Sequence, residues 1–224
     1  MAADLRIAVL ASGVGTNLRA LLAGRDDGSL PIRIVGVGSD KPACGAVASA
    51  RAAGIPTFAY RPSDFADRAA FDAALFADLG RVQPDVIVCA GYMRLLGAEV
   101  VRGAQGRMIN LHPSLLPAYP GLHTHARALA DGAREHGASV HVVTEDLDAG
   151  PVLAQAVVPV ELNDTAALLA DRVRTREHPL LCGVIASLAR GDLVLAADAP
   201  PRWLGRPLHR PLRLGADNRW MENQ

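Results

Sequence analysis

Hydrophobic positions fall into short apolar runs separated by stretches with helical spacing. Leu5 to Leu10 is apolar and suited to a strand, Ser12-Gly13-Val14-Gly15 breaks it, and Leu18, Leu21 and Leu22 follow at a helical period. Ile32 to Val37 is a second, β-branched strand. Ala43 to Ala53 is a helix of small residues closed by Gly54, and Pro56 to Tyr60 is a short third strand. Ser63-Asp64 opens a longer helix in which Phe71, Leu75 and Leu79 recur at i, i+4 and i+8. Asp85 to Ala90 is apolar without alternation, as expected of a strand covered on both faces. A short helix then closes at Val100, and Met108 to Leu111 forms the next strand. Strands alternating with helices predict an α/β fold, a doubly wound, mostly parallel, Rossmann-like sheet.

Beyond residue 136 the pattern changes. Ser139 to Val143 and Val152 to Val158 are strands joined by a polar loop too short for a crossover helix, which predicts an antiparallel pair. Asp164 caps a long helix reaching about Arg190, and Pro179 should kink or split it. The expected division is one domain over 1–197 and a Pro/Arg-rich tail over 198–224, a strap held down by Trp203.

Composition narrows the function. Half of the 224 residues are hydrophobic, enough for a sizeable core. Lys+Arg and Asp+Glu balance at 23 each, which gives no global charge to attract nucleic acid. No apolar run reaches the roughly 20 residues that span a bilayer, and Met1 to Asp4 leads straight into a strand without a signal peptide. Cys44, Cys89 and Cys182 lack CxxC spacing, so neither a disulfide framework nor a zinc site is expected, and a cytoplasmic setting follows.

Three constellations carry chemistry. In Asn110-Leu111-His112-Pro113-Ser114 an amide, an imidazole and a hydroxyl follow the end of a buried strand. Asn can donate to a developing oxyanion, and His can carry a proton near neutral pH. A later acid would fix the imidazole's tautomer and raise its pKa, and Glu145, Asp146 and Asp148 all offer one; the residue types alone do not choose among them. Gly13-Val14-Gly15-Thr16-Asn17, between the first strand and first helix, offers backbone NH groups for a phosphate. It is not GxGxxG, and the acid in Gly38-Ser39-Asp40 comes late, so a dinucleotide is not expected; the residues of the 38–44 segment receive no role. His123, His125, His136 and His141 raise the question of metal, but no Cys or paired acid completes a tetrahedral set.

These motifs, with Pro84-Asp85-Val86, Gly91-Tyr92-Met93-Arg94-Leu95-Leu96, Asn110 to Pro117 and Asp148-Ala149-Gly150-Pro151, resemble the folate-dependent formyltransferases, and within them the branch that formylates glycinamide ribonucleotide in purine synthesis. The resemblance extends from Leu5 to about Leu195. It implies formyl transfer from 10-formyltetrahydrofolate to the amine of the ribonucleotide, without metal, nucleic acid or membrane. It assigns Asn110, His112 and Asp148 to catalysis, with protonated His112 stabilising the tetrahedral oxygen and donating to the leaving folate nitrogen. Gly15, Thr16 and Asn17 would hold the phosphate, and Glu177 the ribonucleotide, unless Glu177 merely partners Arg174. Arg68, Met93, Arg94, Leu95, Leu96, Thr144, Glu145, Asp146 and Leu147 would serve the folate. The histidines would shape the site. The resemblance also raises the expectation of a cis peptide at Leu116-Pro117. Relatives acting on tRNA should carry a further domain and a basic face, and formyltetrahydrofolate hydrolases an N-terminal regulatory domain. A bare phosphoribosyl-binding module would leave Asn110, His112 and Asp148 without a purpose.

Overall fold

The computed structural model describes residues 4–221; the start of the chain, where no leader is expected, and the last three tail residues lie outside that range. The chain divides into two compact units, Met1–Ile109 and Asn110–Gln224.

In the first unit, β1 (Leu5–Leu10), β2 (Ile32–Ser39), β3 (Thr57–Ala59) and β4 (Val86–Cys89) pair in parallel in the order β4-β1-β2-β3. Helices α1 (Thr16–Asp26), α2 (Gly45–Ala52) and α3 (Arg68–Arg81) connect them, and α4 (Ala98–Gly103) follows β4. Ile7, Val9, Leu18, Leu21, Val37, Leu75 and Val88 are fully enclosed, which is why these strands read as unbroken apolar runs. Two boundaries of this unit depart furthest from expectation. Pro62–Asp64 makes an isolated 3-10 turn, and α3 starts at Arg68, where Asp67 accepts from the Ala70 NH at 2.8 Å. α4 runs to Gly103, so Val100 lies inside it rather than at its end.

β5 (Met108–His112) carries the chain into the second unit, and extends one residue further than predicted, to include the histidine. There β6 (Glu135–Val142) and β7 (Val152–Pro159) are the expected antiparallel pair. The helix α5 (Thr124–Ala130), which no apolar period announced, precedes them. The long helix α6 (Ala166–Arg190) is capped by the Thr165 hydroxyl, not by Asp164, whose carboxylate binds Arg172 and the Glu161 NH instead. Pro179 does not split it: buried Leu169, Val173, Leu180, Leu181, Val184 and Ile185 hold one face down along its length, and Gly191 ends it in the left-handed conformation. β8 (Leu193–Val194), just ahead of the tail, forms a small antiparallel sheet with β9 (Arg202–Trp203) and β10 (Arg206–Pro207) of the tail. β11 (Leu212–Arg213) adds to β7 in parallel. Trp203 meets Trp220 edge to face, and the Trp220 indole donates to Ser187 at 3.0 Å, so the strap is anchored by two tryptophans rather than one. Among the described residues no helix is long and apolar enough to cross a membrane.

Candidate active site

The end of β5 places Asn110 and His112, two apart on a strand and so on the same face. His112 is 5% exposed. Its Nε2 lies 3.0 Å from the Tyr119 carbonyl oxygen, and its Nδ1 lies 3.4 Å from Oδ2 of Asp148. A carbonyl can only accept, so the proton of the neutral ring sits on Nε2 and Nδ1 faces the carboxylate. Burial pushes the ring's pKa below the ordinary histidine value, outweighing the upward pull of the Tyr119 carbonyl and of Asp148. Asp148 acts to raise this pKa, as expected, but desolvation outweighs it and the net shift is downward.

Of the three loop acids, Glu145 and Asp146 are exposed, whereas the Asp148 side chain is 7% exposed. Burial acts to raise its pKa. The adjacent His141 imidazole, the Gly121 NH at 2.8 Å and the neighbouring His112 prevail, and the net shift is downward. Asp148 holds φ +52°, Tyr119 +55° and His123 +59°, so three non-glycine residues around this site adopt the disfavoured left-handed region.

His141, expected only to help shape the site, joins the cluster itself. Its Nδ1 donates to the Val142 carbonyl at 3.0 Å, which leaves Nε2 to accept from the Asn110 amide at 3.1 Å and to lie 3.5 Å from Oδ1 of Asp148. The Asn110 amide group is thereby oriented and keeps one hydrogen free of His141. The signal in the sequence was a polar alternation, Ser139 and His141, inside the otherwise apolar segment Ser139 to Val143. His136 and His125 share a hydrogen between Nε2 and Nδ1 at 3.1 Å, and burial pushes the His136 pKa down to about 4. Among the described residues no cluster of three His, Cys, Asp or Glu could hold a metal ion. The peptide at Leu116-Pro117 is cis, as expected. Glu177, on α6, is half-buried, and desolvation raises its pKa against the opposing charge of Arg174; the ion pair of Arg174 is made with Asp171 at 2.6 Å.

In the first unit, Gly15 caps α1 with φ +80°, and a Cβ there would meet the Ala46 Cα at 2.6 Å. No side chain caps this helix start and no acid occupies its first turn. The Asn17 Oδ1 is buried without a partner, and Arg19 reaches back to the Val14 carbonyl at 2.7 Å, bringing a cation to the loop that sequence reasoning had passed over. The 38–44 segment, left without a role, supports this loop: Asp40 accepts from the Ser12 hydroxyl at 2.5 Å, and that hydroxyl accepts from the Met93 NH at 2.9 Å. Met93 and Leu95 are 66% and 58% exposed, apolar surface left uncovered. Arg94 lies over Phe71 at 5.0 Å, and the Gly97 NH donates to buried Asp72, whose pKa desolvation raises. Arg68, at the start of α3, is exposed. Thr144 and Leu147, in the second unit, are also exposed.

A formyl transferase family model matches residues 5–185. The phosphoribosylglycinamide formyltransferase of Escherichia coli (strain K12) is 41% identical over 213 residues, 95% of this chain and 100% of its own length. That of Mycobacterium tuberculosis (strain ATCC 25618 / H37Rv) is 43% identical over 84% of this chain and 86% of its own length. The solved structure of phosphoribosylglycinamide formyltransferase from Coxiella burnetii in complex with CHES aligns with a TM-score of 0.86 at 42% identity, covering 91% of this chain and 95% of that one.

Proposed function

The chain belongs to the formyl transferase family, and we propose that Asn110, His112 and Asp148, with His141 behind them, carry its reaction. The enzyme transfers a formyl group to glycinamide ribonucleotide in purine biosynthesis. The formyl donor is a folate, which we take to be 10-formyltetrahydrofolate, and we assign the enzyme to the cytoplasm with no nucleic-acid or membrane partner.

The chemistry starts from a neutral His112. The substrate amine attacks the formyl carbon; a C–N bond forms and the carbonyl oxygen gains the negative charge. The free hydrogen of the Asn110 amide donates to that oxygen, a contact worth more in a buried site than in water. The nitrogen then sheds a proton. His112 accepts it, directly or through a water, and the resulting imidazolium has an acceptor at each nitrogen, the Tyr119 carbonyl and the Asp148 carboxylate. The charge that burial disfavours at rest is thus supported while the intermediate lasts. His112 returns the proton to the folate nitrogen as the C–N bond to the folate breaks. No covalent enzyme intermediate, and so no nucleophilic Ser or Cys, is required. His112 acts as an acceptor first and a donor second, a refinement of the purely protonated role expected at the outset.

Gly15, Thr16 and Asn17 are proposed to hold the phosphate, with Arg19 adding charge, and Glu177 the ribonucleotide. Met93 to Leu96, Arg68 and Thr144 to Leu147 are proposed to line the folate site, where exposed Met93 and Leu95 offer a flat ring apolar contact. No metal takes part in this scheme. Residues 1–197 are taken as the formyltransferase domain and 198–224 as its strap.

The observation that carries this reading is the buried contact of Asp148 with both His112 and His141 at the end of β5. The test is a mixture of enzyme, formyl folate and ribonucleotide followed by folate absorbance. Deformylation that requires the ribonucleotide supports transfer. Equal deformylation without it would make the protein a hydrolase, and binding without turnover would make it a binding module.

A further inference from the structure

β7 is apolar along its length except at Gln155, and the residue that stands opposite it in the register of β6 is also polar, Ser139. Ser139 is 0% and Gln155 4% exposed. Burying such groups costs free energy unless every donor and acceptor is met, and an apolar pair of the same size would stabilise the strands at least as well. What meets them is one turn of backbone. The Ser139 hydroxyl donates to the Ser114 carbonyl at 2.7 Å and accepts from the Leu116 NH at 3.0 Å. The Gln155 amide donates one hydrogen to that hydroxyl at 3.0 Å and the other to the Leu116 carbonyl at 2.8 Å. Both polar groups of Leu116 and the carbonyl of Ser114 are therefore held from the sheet.

That turn connects His112 to its own acceptor. The Ser114 NH donates to the His112 carbonyl at 2.9 Å, the Ser114 hydroxyl to the Ala118 carbonyl at 2.6 Å, and the next carbonyl, that of Tyr119, receives His112 Nε2. We propose that Ser139 and Gln155 are positioning residues for His112: by clamping residues 114 to 116 they place the Tyr119 carbonyl, and so decide which ring nitrogen carries the proton and which faces Asp148. The tail strand belongs to the same device. Arg213 stands in register with Gln155, and the Leu214 NH donates to the Gln155 carbonyl at 2.9 Å, so the strap braces β7 at the residue that grips the turn.

The proposal rests on reading His112 as the group that moves the proton, and the experiment separates the two. Gln155→Met keeps the volume and removes both donors, Ser139→Ala removes the hydroxyl, and Ser139→Thr keeps it on a residue suited to a strand. The first two should lower kcat by about 10- to 10²-fold, the scale expected of a misplaced catalytic group. They should leave the KM of each substrate within about twofold and move the acidic limb of the kcat–pH profile, while Ser139→Thr restores both. A lowered melting temperature with unchanged kcat and an unchanged limb would reduce the pair to a structural role and overturn the proposal. If His112→Ala itself turns over normally, the catalytic reading fails and this inference falls with it. Should the variants not fold, histidine nitrogen NMR of the wild-type enzyme at neutral pH decides: a proton on Nε2 of His112 supports the clamp, and a proton on Nδ1 contradicts it.

Discussion

The glycine loop at residues 13–17 and the strand end at 110–112 each present polar groups in a fixed arrangement, and they do it with different materials. The loop is held by close packing. Gly15 must be glycine because its φ is +80° and Ala46 fills the space of a Cβ, while the Ala46 NH binds the Gly13 carbonyl at 3.1 Å. What it offers is backbone NH groups, which cannot titrate. The strand end is held by a side-chain network instead, in which each member is oriented by another: Asn110 by His141, and His112 by Tyr119 and Asp148. What it offers is protons that can move. A rigid backbone cradle suits a group that must only be bound, and a buried titratable network suits one that must change charge during turnover.

If that contrast is right, damage to the two regions should appear in different constants. The largest effect is expected for His112→Ala, a loss of about 10² to 10⁴-fold in kcat, the usual contribution of an acid–base group, in a protein that still folds; steady-state kinetics keeping more than half the wild-type rate would remove His112 from the mechanism. Asp148→Asn should fall toward the lower end of that range and also move the pH profile. The working form of His112 is neutral, so activity is lost as pH falls through its pKa. The carboxylate pulls that pKa upward, so its removal should move the acidic limb to lower pH, and an unmoved limb would count against the pairing.

Gly15→Val attacks the other region. Strain of about 1–3 kcal/mol is expected from a β-branched residue at this φ, before the clash with Ala46. The KM of the ribonucleotide should rise about tenfold, that of the folate much less, and kcat should change little. Equal rises in both would dissolve the contrast.

The smallest effect concerns stability in acid. The His136 pKa, pushed down to about 4 in the fold, lies below the ordinary 6.5. The unfolded chain therefore takes up its proton first. The stability this residue contributes is complete above about pH 6.5 and is lost as pH falls toward 4. Denaturant titrations across that window should show a shallower loss for His136→Gln than for the wild type.

The alternation of strands and helices was legible because burial on both faces writes itself as runs of Ile, Val and Leu, and Phe71, Leu75 and Leu79 marked α3 correctly. Its start was not, because a 3-10 turn at Pro62 and a cap at Asp67 differ from a helix only in backbone angles. Pro179 was misjudged as a possible break because tertiary packing along α6 outweighs one missing hydrogen bond. α5 was missed because seven residues, Thr124–Ala130, are too few to display an apolar period. Asn110 and His112 stood out by type and position, whereas choosing Asp148 over Glu145 and Asp146 needed the resemblance. His141, Ser139, Gln155 and Asp40 act through contacts that join distant parts of the chain, and no local pattern displays such contacts.

Binding without turnover tests the division of labour most directly. Calorimetric titration of glycinamide ribonucleotide into His112→Ala, with turnover measured on the same sample, should give a Kd within about twofold of the wild type beside a kcat at least about 10²-fold lower. A Kd weakened in proportion to kcat would show that the strand end binds the ribonucleotide as much as it transforms it, and would contradict the account.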